Sequence, residues 1–109
     1  ERTLGLVREA LAKHGTLLAL KFYIAGYTDT VGNTHYNREL STRRARAIAR
    51  WFRSKGLNIP IHYCGFGEEY LAKKTPDETD ERANRRAIYI LTSQAPSGPP
   101  FPRALWKKL

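Results

Sequence analysis

The chain has one cysteine, Cys64, and no methionine. A lone thiol excludes an internal disulfide and any metal site built from several thiolates. It lies in an apolar stretch, where a cysteine serves as a small core residue. No apolar run nears the roughly 20 residues that cross a bilayer as a helix; residues 17–20 and 23–25 are broken by Lys21. The three histidines, His14, His35 and His62, show no metal-ligand spacing, so no metal and no cofactor is expected. There is no basic-then-apolar leader and no internal repeat. Acid is also scarce, with 10 Asp and Glu against 19 Lys and Arg, a formal net charge of +9. Such a charge favours polyanionic partners such as nucleic acid, anionic lipid or an anionic wall polymer, and says nothing about fold.

What is present suits one domain. At 109 residues a second independent core would be too small to hold. Leu4, Val7, Ala10 and Leu11 recur at helical spacing within residues 2–14, with Gly15 as a stop. Leu20, Phe22 and Ile24 alternate with Lys21 and Tyr23, predicting a strand. Residues 26–34 are rich in Gly, Thr, Asp and Asn, predicting a loop. From Asn37 to Lys55, the residues Leu40, Ala47, Ile48, Trp51 and Phe52 mark a second helix, ended by Gly56 in a left-handed conformation. Pro60 stops continuation, and residues 61–65 form a short strand. Residues 68–84 are polar, with Thr75-Pro76-Asp77 as a turn. The unbroken apolar run Ala87 to Leu91 predicts a central strand buried on both faces. The expected core draws on Leu20, Ile24, Leu40, Ile48, Trp51, Phe52, Ile88 and Ile90. The order of elements indicates an α/β (α+β) two-layer sandwich. Residues 1–92 form the domain; residues 93–109 are a Pro-rich basic tail, mobile unless Phe101, Leu105 and Trp106 dock.

Three features carry chemistry: the loop Gly26-Tyr27-Thr28-Asp29, the basic helix, and Asn84-Arg85-Arg86 before the last strand. The helix from 37 to 55 holds seven positive residues against Glu39 alone. A helix of that kind is most often a solvated face, and its arginines are spread around it rather than confined to one stripe, which argues against groove binding. Arg46, Arg50 and Arg53 share the face opposite the apolar one. By composition alone Asp29 fits the cap of a turn and Asn37 fits a helix N-cap. Arg85 and Arg86 face opposite sides of a sheet if the strand has begun, so at most one lines a site while the other pairs with Asp80 or Glu81. No nucleophile motif accompanies His35 and no second carboxylate stands near Asp29, so catalysis is not expected.

The run Gly26-Tyr27-Thr28-Asp29, then Gly32, Asn37, Leu40-Ser41 and Arg44-Ala45 resembles the signature G-[HY]-T-D-x-x-G-x-x-x-x-N-x-x-L-S-x-x-R-A of OmpA-like C-terminal domains. The resemblance continues through Gly56, the Gly65-Phe66-Gly67-Glu68 segment and Arg82-Ala83-Asn84-Arg85-Arg86-Ala87, covering roughly residues 4–92. It departs from the family in three places. The strand that normally precedes the first helix is missing, the loop before Asn84 is shortened, and the C-terminal tail lies outside the pattern.

The resemblance implies a mixed sheet packed against helices and a non-enzymatic domain that binds peptidoglycan. The ligand in that family is the meso-diaminopimelate of the stem peptide, which carries an ammonium and a carboxylate on one carbon. The match places the anion of the site at Asp29 and the cation at Arg44, close to one another. A guanidinium suits the second role because its planar fork meets a carboxylate with two parallel hydrogen bonds. Asn37 adds an amide contact or braces the loop, Thr28 offers its hydroxyl or backbone amide, and one of Arg85 and Arg86 contributes. The implied location is the periplasm of a Gram-negative bacterium, as part of an outer-membrane or other cell-envelope protein. The rival reading is a nucleic-acid-binding domain using the basic helix 37–55.

Overall fold

A computed structural model describes residues 2–14, 19–69, 84–99, 101 and 105–109. Its elements in chain order are α1 (Arg2–His14), β1 (Lys21–Tyr27), α2 (Thr34–Ser54), β2 (Ile61–Gly67), β3 (Ala87–Thr92) and β4 (Lys107–Lys108). The strands form one mixed sheet of order β3-β1-β2-β4. β1 runs parallel to β2, with Phe22 opposite Ile61 and Gly26 opposite Gly65, and antiparallel to β3, with Ile24 opposite Tyr89.

Alternation along β1 builds two cores. Phe22 and Ile24 point to the helical face, where they join Leu4 and Val7 of α1, Ala45, Ala49 and Phe52 of α2, and Ile61 of β2. Phe22 and Phe52 meet edge to face at 4.8 Å between centroids, a favoured aromatic geometry. Ala25 and Tyr27 point the other way, into a smaller cluster with Phe66 and Phe101, flanked by Cys64, Ile88, Ile90 and Trp106. Period-two alternation requires this split, and it gives the α+β sandwich. Burial pushes the Cys64 thiol pKa up, the environment of an inert thiol.

The two glycines at the β1–β2 crossing decide how close α2 lies. A Cβ at Gly65 would fall 2.1 Å from the Thr42 amide nitrogen, and one at Gly26 would fall 2.7 Å from the Ser41 carbonyl oxygen. Only residues without Cβ admit that approach, so the middle of α2 rests directly on the sheet backbone. Ser41, fully buried, accepts a hydrogen bond from the Gly67 amide at 2.9 Å and pins the two elements together.

Several expectations need correction. Among the described residues β3 lies at the edge of the sheet, half-buried, with Tyr89 39% exposed; the strand buried on both faces is β1. An apolar run can pack on each face of a strand wherever that strand lies in the sheet, so hydrophobicity alone does not assign a strand to the centre. β1 continues through Gly26 and Tyr27, which the sequence assigns to the loop. α2 begins at Thr34, and its N-cap is Asn33, whose side chain accepts from the Tyr36 amide at 2.7 Å; Asn37 lies inside the helix. Leu20 and Leu40 are half-buried and belong to neither core cluster. The expected Gly15 stop and the Thr75-Pro76-Asp77 turn lie outside the described residues, as do Asp80 and Glu81.

The C-terminal residues dock. Phe101 is buried, and the Trp106 ring meets Tyr23, Phe66 and Phe101 at 5.1, 6.0 and 5.8 Å. The Trp106 indole donates to the Pro96 carbonyl at 3.0 Å. Lys107 and Lys108 pair antiparallel with Tyr63 and His62, and the Leu109 amide reaches the Ile61 carbonyl at 2.9 Å. Of the three residues whose docking would hold the tail, Leu105 is 79% exposed. Among the described residues, this segment occupies the outer edge of β2.

Candidate functional site

Where β1 ends, the chain enters a loop fixed at nearly every step. The Thr28 amide donates to the Gly67 carbonyl at 2.8 Å, and the Thr28 hydroxyl donates to the Asp29 carbonyl at 3.0 Å. Gly32 turns the chain at a φ of 88°, a left-handed conformation that glycine adopts without steric cost. From inside α2, the Asn37 side-chain amide donates to the Val31 carbonyl at 2.8 Å and to the Asp29 carbonyl at 3.4 Å. Asn37 therefore braces the loop. Thr28 is buried with both of its proton donors engaged by the fold, so it shapes the wall rather than offering a free donor.

The loop presents Asp29, which is 6% exposed. Its Oδ1 accepts from the Val31 amide at 3.2 Å, and its Oδ2 forms an ion pair with Arg85. The sequence reading set Arg44 beside Asp29. Both line one cleft of about 280 Å³, with Tyr36, Asn37, Leu40 and Arg85 among its walls, but among the described residues the cation in contact with Asp29 is Arg85. Arg44 is exposed at the cleft and makes no hydrogen bond or ion pair among the described residues.

The two arginines of the Asn84-Arg85-Arg86 segment diverge. Arg85 closes on Asp29, while the Arg86 guanidinium lies over the Tyr27 ring, 4.0 Å from its centroid. Tyr27 in turn stacks on Phe66 at 5.3 Å. Burial lowers the Arg86 pKa and raises that of the Tyr27 hydroxyl well above its ordinary value. A second pocket of about 220 Å³ continues past Arg44 and Arg85, and Arg86 lines that one. Of the two, Arg85 lines the Asp29 cleft and Arg86 does not.

Tyr36 and Leu40 were not picked out as site residues. Tyr36, Leu40 and Arg44 all line the cleft, and their spacing of four residues places them on one face of a helix. That spacing was the available signal, once α2 was known to start at Thr34. Arg43, Arg46 and Arg50 are exposed and line neither of these two pockets. His35, 84% exposed, pairs with Glu39 at 3.3 Å. No group of His, Cys, Asp or Glu able to hold a metal occurs among the described residues, and no described helix is long and apolar enough to cross a membrane.

The fold and loop define a class: an α+β domain whose βαβ unit sets a Thr-Asp loop against an arginine of the following helix. The family model described as "OmpA family" matches residues 1–86, and the chain belongs to that family. It is 34% identical over 77 residues to the outer-membrane lipoprotein YfiB of Pseudomonas aeruginosa, covering 68% of this chain and 45% of that protein. It is 35% identical over 71 residues to the peptidoglycan-associated lipoprotein of Pasteurella multocida, covering 64% and 47%. The chain thus spans about half the length of these relatives. The crystal structure of the peptidoglycan-associated lipoprotein from Burkholderia pseudomallei superposes with a TM-score of 0.64 at 26% identity, covering 82% of this chain and 74% of that one.

Proposed function

We propose that this domain binds peptidoglycan non-covalently, without catalysis, through the meso-diaminopimelate of the stem peptide. In doing so it anchors a parent envelope protein to the wall in the periplasm of a Gram-negative bacterium. The observation that carries the reading is the pairing, in one cleft, of a carboxylate fixed by the fold with a guanidinium that the fold leaves open. Asp29 is held from two sides, by the Val31 amide and by Arg85, so its carboxylate is oriented before a ligand arrives. Arg44 faces the same cleft and offers its fork to a carboxylate. A carbon bearing both an ammonium and a carboxylate satisfies the two together, whereas a simple anion or cation satisfies one. The relatives named for association with peptidoglycan support the same reading.

Sedimentation with purified insoluble peptidoglycan tests it. The protein should co-sediment with diaminopimelate-type wall and far less with lysine-type wall, whose side chain lacks the carboxylate beside the ammonium. Asp29→Ala and Arg44→Ala should each weaken retention about 10- to 100-fold, the loss expected when a charge-assisted hydrogen bond is removed. Arg50→Ala, outside the cleft, should change it less than twofold. If Arg50→Ala and Arg44→Ala weakened binding equally, and added salt abolished the effect, the basic helix would be a general polyanion surface. Nucleic acid would then return as a partner, with the steep salt dependence of counterion release.

A further inference from the structure

The outer face of α2 carries a row of arginines that the Asp29 cleft does not use. Arg43, Arg46 and Arg50 are exposed. With about 100° of turn per residue they fall within about 60° of one another around the helix axis and span a rise of about 10 Å. None of the three makes a hydrogen bond or ion pair among the described residues. Glu39, the one acid of α2, stands one turn before Arg43 and pairs with His35 instead. Elsewhere on the helix the fold engages its arginines: Arg38 closes on Glu69, and Arg53 donates to the Leu57 carbonyl at 2.9 Å. Among the described residues it leaves bare only Arg44, at the cleft, and this row. Like charges at these spacings oppose helix formation, so the row destabilises α2 with no compensating contact.

We propose that the row is a docking face for the anionic headgroups of a phospholipid membrane, with α2 lying flat on the surface. A guanidinium meets a phosphate with two parallel hydrogen bonds. Three of them in line match a planar array of phosphates better than a single small anion. Ala47, exposed between Arg43 and Arg50, adds no bulk over the row. Because α2 rests directly on the sheet backbone at Gly26 and Gly65, its outer face is the part that projects. The net charge of +9 complements an anionic leaflet, where each nearby cation strengthens binding about fivefold. Arg43, Arg46 and Arg50 line neither the Asp29 cleft nor the pocket beside it, so wall and membrane can be held together. The choice of lipid over nucleic acid rests on the envelope placement proposed above, which sets a membrane leaflet near a wall-bound domain.

Flotation of the whole chain with vesicles of equimolar phosphatidylglycerol and phosphatidylcholine, beside pure phosphatidylcholine, tests the proposal. The unaltered protein should float with the mixed vesicles, stay in solution with the neutral ones, and be released by added salt. Arg46→Gln combined with Arg50→Gln should weaken vesicle binding about 25-fold, two fivefold steps, with no fall in thermal midpoint. Lys21→Gln combined with Lys108→Gln removes the same charge from the opposite face of the sheet, where both lysines flank His62. That pair of changes should weaken binding less than about threefold, since the leaflet lies beyond a screening length. Equal weakening by the two double variants would make net charge alone responsible and overturn the proposal. Absence of flotation with either vesicle would overturn it too. So would tighter binding of a double-stranded DNA oligonucleotide than of the mixed vesicles at the same salt, lost in the Arg46/Arg50 variant. Wall sedimentation is a separate measurement: its failure strikes the peptidoglycan reading, and a failure to float strikes only the membrane face.

Discussion

Arg85 and Asp29, 56 residues apart in the chain, form the ion pair that closes one end of the cleft. The pair joins the segment before β3 to the loop after β1, and it leaves Arg44 as the cleft arginine without a partner among the described residues. The Asp29 side chain is 8% exposed and that of Arg85 38%, so the attraction is screened on the Arg85 side but less than between two open surface groups. The arrangement divides labour between the two cations: one orients the acid, and the other stays available.

Removing the orienting cation should therefore affect the fold before the ligand. Arg85→Ala leaves the Asp29 carboxylate in a low-solvent setting with its cation gone. A loss of about 1–3 kcal/mol in urea unfolding is expected, the cost of stranding a buried acceptor. Asp29→Asn combined with Arg85→Ala should cost less than the two single changes added together, because the stranded charge is absent. Strict additivity would show that the pair contributes nothing.

Arg44 should behave in the opposite way. Arg44→Ala is expected to leave the thermal midpoint within about 1–2 °C, since an exposed side chain away from packed features contributes less than about 0.5 kcal/mol. Its loss should appear in wall binding instead, and Arg44→Lys should recover only part, because the charge returns without the planar fork. Complete recovery by lysine would argue for a point charge rather than a two-bond clamp.

Gly65→Ala should be among the most damaging single substitutions. The added Cβ would sit 2.1 Å from the Thr42 backbone nitrogen, with the Thr42 and Ser41 hydroxyl oxygens at 2.4 and 2.5 Å, and the helix backbone cannot give way as a side-chain tip can. Overpacking of this kind costs about 1–3 kcal/mol, sometimes more. Because α2 carries Arg44 and Asn37, retention on peptidoglycan should fall together with the urea midpoint. Gly56→Ala offers a contrast: nothing lies within 4 Å of its Cβ, and only its φ of 90° opposes the change.

Trp106→Ala should lower stability by about 1–3 kcal/mol, below the 3–5 typical of a fully buried tryptophan because the ring is only partly covered. Proteolysis at the C-terminus should accelerate in step, as the aromatic cluster and the β4 pairing are lost together. A neutral Trp106→Ala would mean that the β4 backbone bonds alone hold the segment.

His62 gives the molecule a pH dependence of definite sign. It stacks on Tyr23 at 5.0 Å and pairs with Lys108 across β2 and β4. Its pKa is lowered from 6.5, first by burial and then by Lys21 and Lys108. The folded state therefore holds this proton less tightly than the unfolded chain does. Stability from this group is present above about pH 6.5 and is lost as pH falls through the lowered value. Thermal midpoints measured from pH 7.5 down to 5 should fall, and His62→Gln should flatten part of that slope. A slope unchanged by the substitution would place the titrating group elsewhere.

Much of the layout was legible in the residues. Helical period set α1 and most of α2, alternation set β1 and β2, and Gly56 marked where α2 stops, because each of these signals lies within a few neighbouring residues. The Gly-Tyr-Thr-Asp run and Arg44 stood out by motif, and the structure places Asp29 and Arg44 in one cleft. Tertiary structure alone decided the rest. That β3 lies at the edge of the sheet among the described residues, that the C-terminal residues cover the outer edge of β2, and that Arg85 rather than Arg44 touches Asp29 all depend on pairings between distant segments. Hydrophobic pattern reports whether a residue is buried, not which strand lies beside it. A charge in sequence likewise does not name its partner until the backbone has fixed where both side chains begin.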